Sequence, residues 1–383
     1  MLWYWLVAGA AAVLAILSLR GERGRAAYAA RRLAEHPASL PPASVIVPVK
    51  GEDEGLHENL AALAALDYPD FELIVAARTA ADIPHVMLPA KVRVVLAHGH
   101  DPDTGEKVQN LAAAVKAVRK RSEVLAFADS DGRVTRGWLR ALAAPLAEHG
   151  VGAATGFRWF TPSPAGFWTL LRGVWDAVAA GTLGPGDNSF AWGGAVAVYK
   201  ETFFAARVPE YWKGAVSDDY ALAAAIHAAG LSIAWAPGAL TPCYERLPAR
   251  RLFAWMRRQM MITRCYNRRL WGTALAAHVV YCGGMAAAVA ASALGHRAIL
   301  WALAAQLVPG MLKGLNRARL ASQSLPELRA WFRRHTWAHA VWTPLATWAW
   351  LVALASSALG DTIEWRGNRY PLRPPGWMVN KRL

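Results

Sequence analysis

The chain has 383 residues, 55% of them hydrophobic and 18% charged, with a formal net charge of +15. This is too apolar for an ordinary soluble enzyme and not apolar enough for a bundle of membrane spans, so a water-folded domain joined to membrane segments fits best. The positive charge does not indicate nucleic acid: the arginines cluster beside the apolar stretches, where they would meet anionic headgroups, and no aromatic and basic recognition motif is present.

Residues 1–19 carry no charge and open with Trp3, Tyr4 and Trp5, as an interfacial aromatic belt would. Arg20, Arg23, Arg25, Arg31 and Arg32 follow. The expected reading is an uncleaved transmembrane anchor over 1–19 and a basic juxtamembrane linker over 20–40, with the basic flank in the cytoplasm. Residues 41–248 contain no comparable apolar run and are expected to fold in water. There "SVIVPV" (44–49) reads as a buried strand, 56–66 as a helix, 71–77 and 92–96 as strands, 107–118 as a helix and 124–128 as a strand. This alternation predicts an α/β domain with a mostly parallel sheet, whose ligands bind at the carboxyl ends of the strands.

Asp129, Ser130 and Asp131 follow directly on the last of those strands, at the ligand-binding edge. Two readings fit them: a pair of hard oxygen ligands for Mg²⁺ or Mn²⁺ that also touches substrate phosphates, or an acidic turn. In "AVSDDYALAAAIHAAG", Ser217 is placed to cap a helix that Gly230 ends, with Asp218 and Asp219 in its first turn. Adjacent helix positions point about 100° apart, so one aspartate can serve the helix while the other faces a cleft.

Residues 249–270 read as a basic amphipathic helix at a membrane interface. From Arg250 to Arg269 its seven arginines fall within roughly 140° of one another on a helical wheel. Gln259 is the polar exception on its apolar side. Two further spans are expected at 271–294 and 337–359, with a shorter apolar piece at 298–312, and a basic tail over 360–383. A full crossing at 337–359 would export that tail, unless the segment, which contains Pro344, is re-entrant. Cys243, Cys265 and Cys282 have no pairing or metal spacing and suit a reducing compartment.

Taken in order, "SVIVPVKGEDEGLHENL", "DYPDFELIV", "GEKVQNL", "DSD", "SDDY", "RRQMMITR" and "EWRGNRYPLRP" resemble the inverting glycosyltransferases of family 2, and more closely the ceramide glucosyltransferase branch, family 21. The resemblance implies a GT-A, Rossmann-like cytosolic domain with one N-terminal and two to three C-terminal membrane segments. It implies a UDP-sugar donor, a divalent cation (Mg²⁺ or Mn²⁺) on Asp129 and Asp131, and Asp219 as catalytic base beside Asp218. Pro48, Lys50, Lys107 and Asn110 match positions near the nucleotide, and Gly193 and Gly194 a segment beside the donor sugar. Lys50 fits a solvated loop equally well, and the glycines fit a strand-entry turn. Asp82 is the one candidate for the family's acid after the second strand. Of the family's (Gln/Arg)-x-x-Arg-Trp box only Gln259 is kept, with Ile262 and Thr263 in the Arg-Trp places, which leaves Arg258 or Arg264 to supply the cation.

The membrane segments imply an acceptor that resides in the lipid bilayer: ceramide, or a hopanoid or other lipid alcohol. A bacterial inner membrane, with the catalytic domain on its cytoplasmic side, is the expected location. A processive polysaccharide synthase and a non-catalytic membrane scaffold are the competing readings.

Overall fold

The computed structural model describes residues 2–35, 37, 39–84, 88–89, 91–186 and 189–376. Residues 36 and 38 of the expected linker, Asp187 and Asn188 of the glycine-containing segment, and tail residues 377–383 lie outside the described residues. The chain divides into two compact units. One comprises Tyr28–Ser163, Leu183–Glu245 and Asp361–Leu383; the other comprises Met1–Ala27, Pro164–Thr182 and Arg246–Gly360.

The first unit is built on a seven-stranded sheet: β1 (Ala43–Pro48), β2 (Phe71–Ala77), β3 (Val92–Leu96), β4 (Val124–Ala128), β5 (Val151–Phe160), β6 (Ala195–Tyr199) and β7 (Ser232–Cys243). The strand order is β3-β2-β1-β4-β6-β5-β7. All neighbours run parallel except β6, which is antiparallel to both β4 and β5. The strands expected in the first half are present within a residue; β1, β2 and β4 are largely buried, and such apolar runs carry a strong signal, while β3 at the sheet edge is partly exposed. The second half is less regular in sequence. β7 holds two prolines and a glycine, residues depleted in strands, yet it pairs with β5 along its length through two register shifts.

One face of the sheet buries Ile46, Ile74, Leu125, Phe127 and Val196 against helix residues including Leu111, Leu222 and Ile226. Phe127 lies edge-on to Trp212 at 5.7 Å between ring centroids. Each buried aliphatic side chain of this kind is worth about 1.5–3 kcal/mol. That core fixes the strand ends on which the polar residues sit.

The tail belongs to the same unit. After Asp361 it forms a hairpin of β8 (Thr362–Trp365) and β9 (Asn368–Pro371). Asn368 donates to Glu106 Oε2 at 2.9 Å, and Arg373 pairs with Asp103 at 2.9 Å.

The second unit is helical. Trp350 stacks on Trp175 with 4.3 Å between centroids and donates its indole N–H to the Trp175 carbonyl at 3.0 Å. The basic amphipathic helix runs Ala249–Tyr266 and stops there rather than at Leu270. Asn267 leaves the helical region, and its side chain accepts from Leu270 N to start the helix Arg268–Ala293. The short apolar piece is part of a longer helix, Ile299–Ser324, that continues through Lys313, Arg317 and Arg319.

Among the described residues, one helix, Arg268–Ala293, is long and apolar enough to cross a membrane. The pair Pro326–Val341 and Thr343–Ser357 meets the same criterion only together and is bent by 65°. Trp5–Leu17 is apolar but shorter.

Candidate active site

The site gathers where β1, β4 and the helices Glu106–Ala117 and Asp218–Ala228 present their ends. Lys107, in the first turn of its helix, joins the two acidic motifs: its ammonium lies 2.8 Å from Asp129 Oδ1 and 3.0 Å from Asp218 Oδ1. Burial alone would lower the Lys107 pKa, but Asp129, Asp218 and Asp219 outweigh it and hold it above the ordinary lysine range. A buried ion pair of this kind is costly to break from one side, since the remaining charge is left uncompensated.

Ser217 caps the second helix as expected, accepting from Tyr220 N. Asp218 is buried on Lys107, and burial, opposed by Lys107 and reinforced by Asp219 and Asp129, raises its pKa to about 6. Asp219 is half-buried. Its Oδ1 accepts from Tyr220 N at 2.8 Å and from the Ser217 hydroxyl, and its Oδ2 accepts from Gly193 N at 3.2 Å.

Gly193 and Gly194 sit against the acidic residues at distances no side chain tolerates. A Cβ on Gly193 would lie 2.5 Å from Asp218 Oδ2 and 2.9 Å from Lys107 Nζ, and one on Gly194 would lie 2.3 Å from the Trp192 ring and 2.8 Å from Asp129 Oδ2. Their turn is fixed by Trp192 N, which donates to the buried Thr155 hydroxyl at 2.9 Å. Close backbone approach is the reason for both glycines.

The Asp-Ser-Asp turn is held from behind. Asn59 Nδ2 donates to the Ser130 carbonyl at 2.9 Å, and the Ser130 hydroxyl donates to Asp53 Oδ2 at 2.5 Å. Asp131 keeps some accessible surface but is packed round by protein. Burial, then the charges of Asp129, Asp53 and Glu245, push its pKa up to about 7 against the opposing Arg158. Negative charge thus exceeds positive charge around Asp131. Among the described residues no three His, Cys, Asp or Glu side chains are grouped to hold a metal ion. Two carboxylates nonetheless match the oxygen set of a hard cation whose other ligands are waters and substrate phosphates.

On the β1 side, Lys50 donates to Glu106 Oε2 at 2.5 Å, and Arg78 lies 3.6 Å from the same oxygen. Pro48 ends β1 opposite Ala76. Asn110, one turn beyond Lys107, is buried, and its side-chain oxygen has no hydrogen-bond partner among the described residues. Such an atom calls for a donor from a ligand or water. Asp82 spends Oδ2 on the backbone N–H and hydroxyl of Thr79, capping its own short turn, while its carbonyl accepts from Gly51 N at 2.7 Å beside the end of β1.

Gln259, Arg258 and Arg264 lie on the helix Ala249–Tyr266 of the other unit. Arg264 donates to the carbonyls of Ala358, at 2.7 Å, and Gly360, at the end of the helix Thr343–Ser357. Sequence reasoning missed Asp53 and Glu106, although both lie inside quoted motifs; nothing in local spacing distinguishes Asp53 from Glu52 and Glu54.

A family model described as glycosyl transferase family 21 matches residues 3–378. No curated protein matches the chain. Similar solved structures include the mannosyltransferase PcManGT from Pyrobaculum calidifontis in complex with GDP-Man and Mn²⁺, 18% identical with a TM-score of 0.45 over 93% of this chain and 98% of that one. Another is glucosyl-3-phosphoglycerate synthase from Mycobacterium tuberculosis, in complex with Mn²⁺, UDP and glucosyl-3-phosphoglycerate, 17% identical with a TM-score of 0.38 over 56% and 75%. At these identities and TM-scores neither likeness bears on the chemistry of this chain.

Proposed function

The chain belongs to glycosyltransferase family 21, and on that premise we propose that it moves a single sugar, with inversion, from a UDP-sugar to the hydroxyl of a membrane lipid. The observation that carries this reading is Lys107, which draws Asp129 and Asp218 to one ammonium and so brings the two acidic motifs into a single site.

Asp129 and Asp131 are the cation ligands in this reading, and the surplus of carboxylate charge around Asp131 supports them. A Mg²⁺ or Mn²⁺ ion held there would offset the negative charge that grows on the diphosphate as UDP leaves. Lys107 orients Asp129 and Asp218. Asn110, with its unpartnered oxygen, and Pro48, Lys50 and Asp82 serve the nucleotide; Gly193 and Gly194 let the donor sugar approach the backbone. Arg258 or Arg264 is the proposed source of any further cation for the diphosphate, and Gln259 the one position kept from the family's box.

Asp219 is the base. The acceptor oxygen attacks the anomeric carbon as the bond to UDP breaks, the electron pair leaves with UDP, and the hydroxyl proton passes to the Asp219 carboxylate. One displacement inverts the anomeric centre. Asp218 is the poorer candidate because it is buried on Lys107.

The lipid acceptor is supported by the helix Arg268–Ala293 and by apolar side chains that face outward: Val289 is 62% exposed, Leu294 79% and Trp301 81%. Such a surface suits a bilayer. Ceramide and hopanoid alcohols are the acceptors to test, with the catalytic domain on the cytoplasmic side. In detergent with Mn²⁺, UDP release from one member of a UDP-sugar panel is expected to rise at least several-fold on adding one of these lipids. Lipid-independent release across the whole panel contradicts the acceptor class.

A further inference from the structure

The loop that follows β1 is tied to the far end of the chain. β8 and β9 are joined by two residues, Arg366 and Gly367, with φ of 47° and 80°. A hairpin turn with positive φ at both central positions favours Asn-Gly, because a larger side chain at the first crowds its own backbone. Arginine is a poor choice for the turn itself. A residue kept in a sparsely populated region is held there by its surroundings.

Those surroundings are the donor side of the site. The Arg366 guanidinium donates to the Lys50 carbonyl and, at 2.5 Å, to Asp53 Oδ1. The other oxygen of Asp53 accepts the Ser130 hydroxyl at 2.5 Å. One carboxylate thus joins the tail to the middle of the Asp-Ser-Asp turn, with Arg366 and Asp53 separated by 313 positions of sequence. Beside it, Asn368 donates to Glu106 Oε2 at 2.9 Å, the oxygen that also takes Lys50. A fork of donors in fixed geometry is what such a two-point clamp requires, and lysine does not reproduce it.

We propose that Arg366 is a positioning residue of the donor site: by clamping the 50–53 loop, it holds Asp53 against Ser130 and so keeps Asp129 and Asp131 set for cation and donor. This inference rests on the donor reading given above. It makes the C-terminal hairpin part of the binding machinery, acting through Asp53 and not by touching the reacting atoms.

The test exploits the turn's own preference. In the full chain in detergent, Arg366→Asn installs the residue the turn favours and removes the fork. The variant is expected to keep or raise the unfolding temperature while weakening UDP binding in the presence of Mn²⁺, measured by calorimetric titration, about 10- to 100-fold, the usual cost of losing a supporting contact behind a metal ligand. Arg366→Lys should fall between the two. UDP affinity equal to that of the native chain overturns the proposal.

Asp53→Asn supplies an independent arm. If Arg366 acts through Asp53, adding Arg366→Asn to that variant changes UDP affinity by less than about twofold, since coupled residues do not add. Additive losses contradict the mechanism. Failure of the native chain to bind UDP with Mn²⁺ removes the donor reading and this inference together, and is told apart because it needs no variant.

Discussion

Asp219→Asn is expected to lower kcat by about 10²- to 10⁴-fold, the range a positioned base contributes, while leaving UDP-sugar binding nearly unchanged. Asparagine keeps the size of the side chain and one oxygen, enough to accept from Tyr220 N, the shortest of the contacts with a stated distance. What is lost is the second carboxylate oxygen, which meets only the longer contact from Gly193 N at 3.2 Å. Asp218→Asn should behave differently, because it leaves Lys107 with Asp129 as its one close ion-pair partner. Its expected signature is weaker donor binding and lower stability. If the two variants exchange these signatures, the base is Asp218.

Asp131→Asn is expected to stabilise the cation-free protein at pH 8 and to abolish the stabilisation that Mn²⁺ gives the native chain. The sign follows from the raised pKa. An unfolded aspartate titrates near 3.9, whereas burial and the neighbouring carboxylates push Asp131 up to about 7. Its favourable contribution is therefore complete below about pH 4 and is lost as pH rises through 7, a cost on the order of 4 kcal/mol at pH 8. Asparagine removes that cost, so its advantage over the native chain, read as unfolding temperature, should be several degrees at pH 8 and small near pH 4. Mn²⁺ should stabilise the native chain more at pH 8 than at pH 6, because the ligand must be deprotonated. A native chain equally stable at pH 5 and pH 8, with or without Mn²⁺, contradicts this view of Asp131.

The site was legible where chemistry follows from local pattern. Asp129 and Asp131 stand at the end of a buried apolar run, and Asp218 and Asp219 stand behind a capping serine, so period and capping rules suffice to find them. The contacts that organise these residues run between distant segments: Lys107 to Asp218, Asp53 to Ser130, Arg366 to Asp53. No spacing rule carries such information, so the sequence pattern does not set Asp53 and Glu106 apart from their neighbours. In the fold, β1 to β4 announced themselves by composition, while β7, with its prolines and glycine, exists because β5 pairs with it. The basic face of the amphipathic helix continues through Arg268 and Arg269, so its pattern does not mark the break at Asn267, which caps the next helix. In the helix Ile299–Ser324 apolarity stops before the helix does, so the apolar pattern marks only its first part.

The central claim is one inverting transfer onto a lipid, and the product tests it most directly. After incubation of the protein with the UDP-sugar it hydrolyses fastest, Mn²⁺ and ceramide or hopanoid, the lipid extract is analysed by mass spectrometry and the anomeric proton by NMR. The account predicts a lipid carrying a single sugar, with the anomeric configuration opposite to that of the donor. A retained configuration, a ladder of added sugars, or sugar found only in the aqueous phase would contradict it.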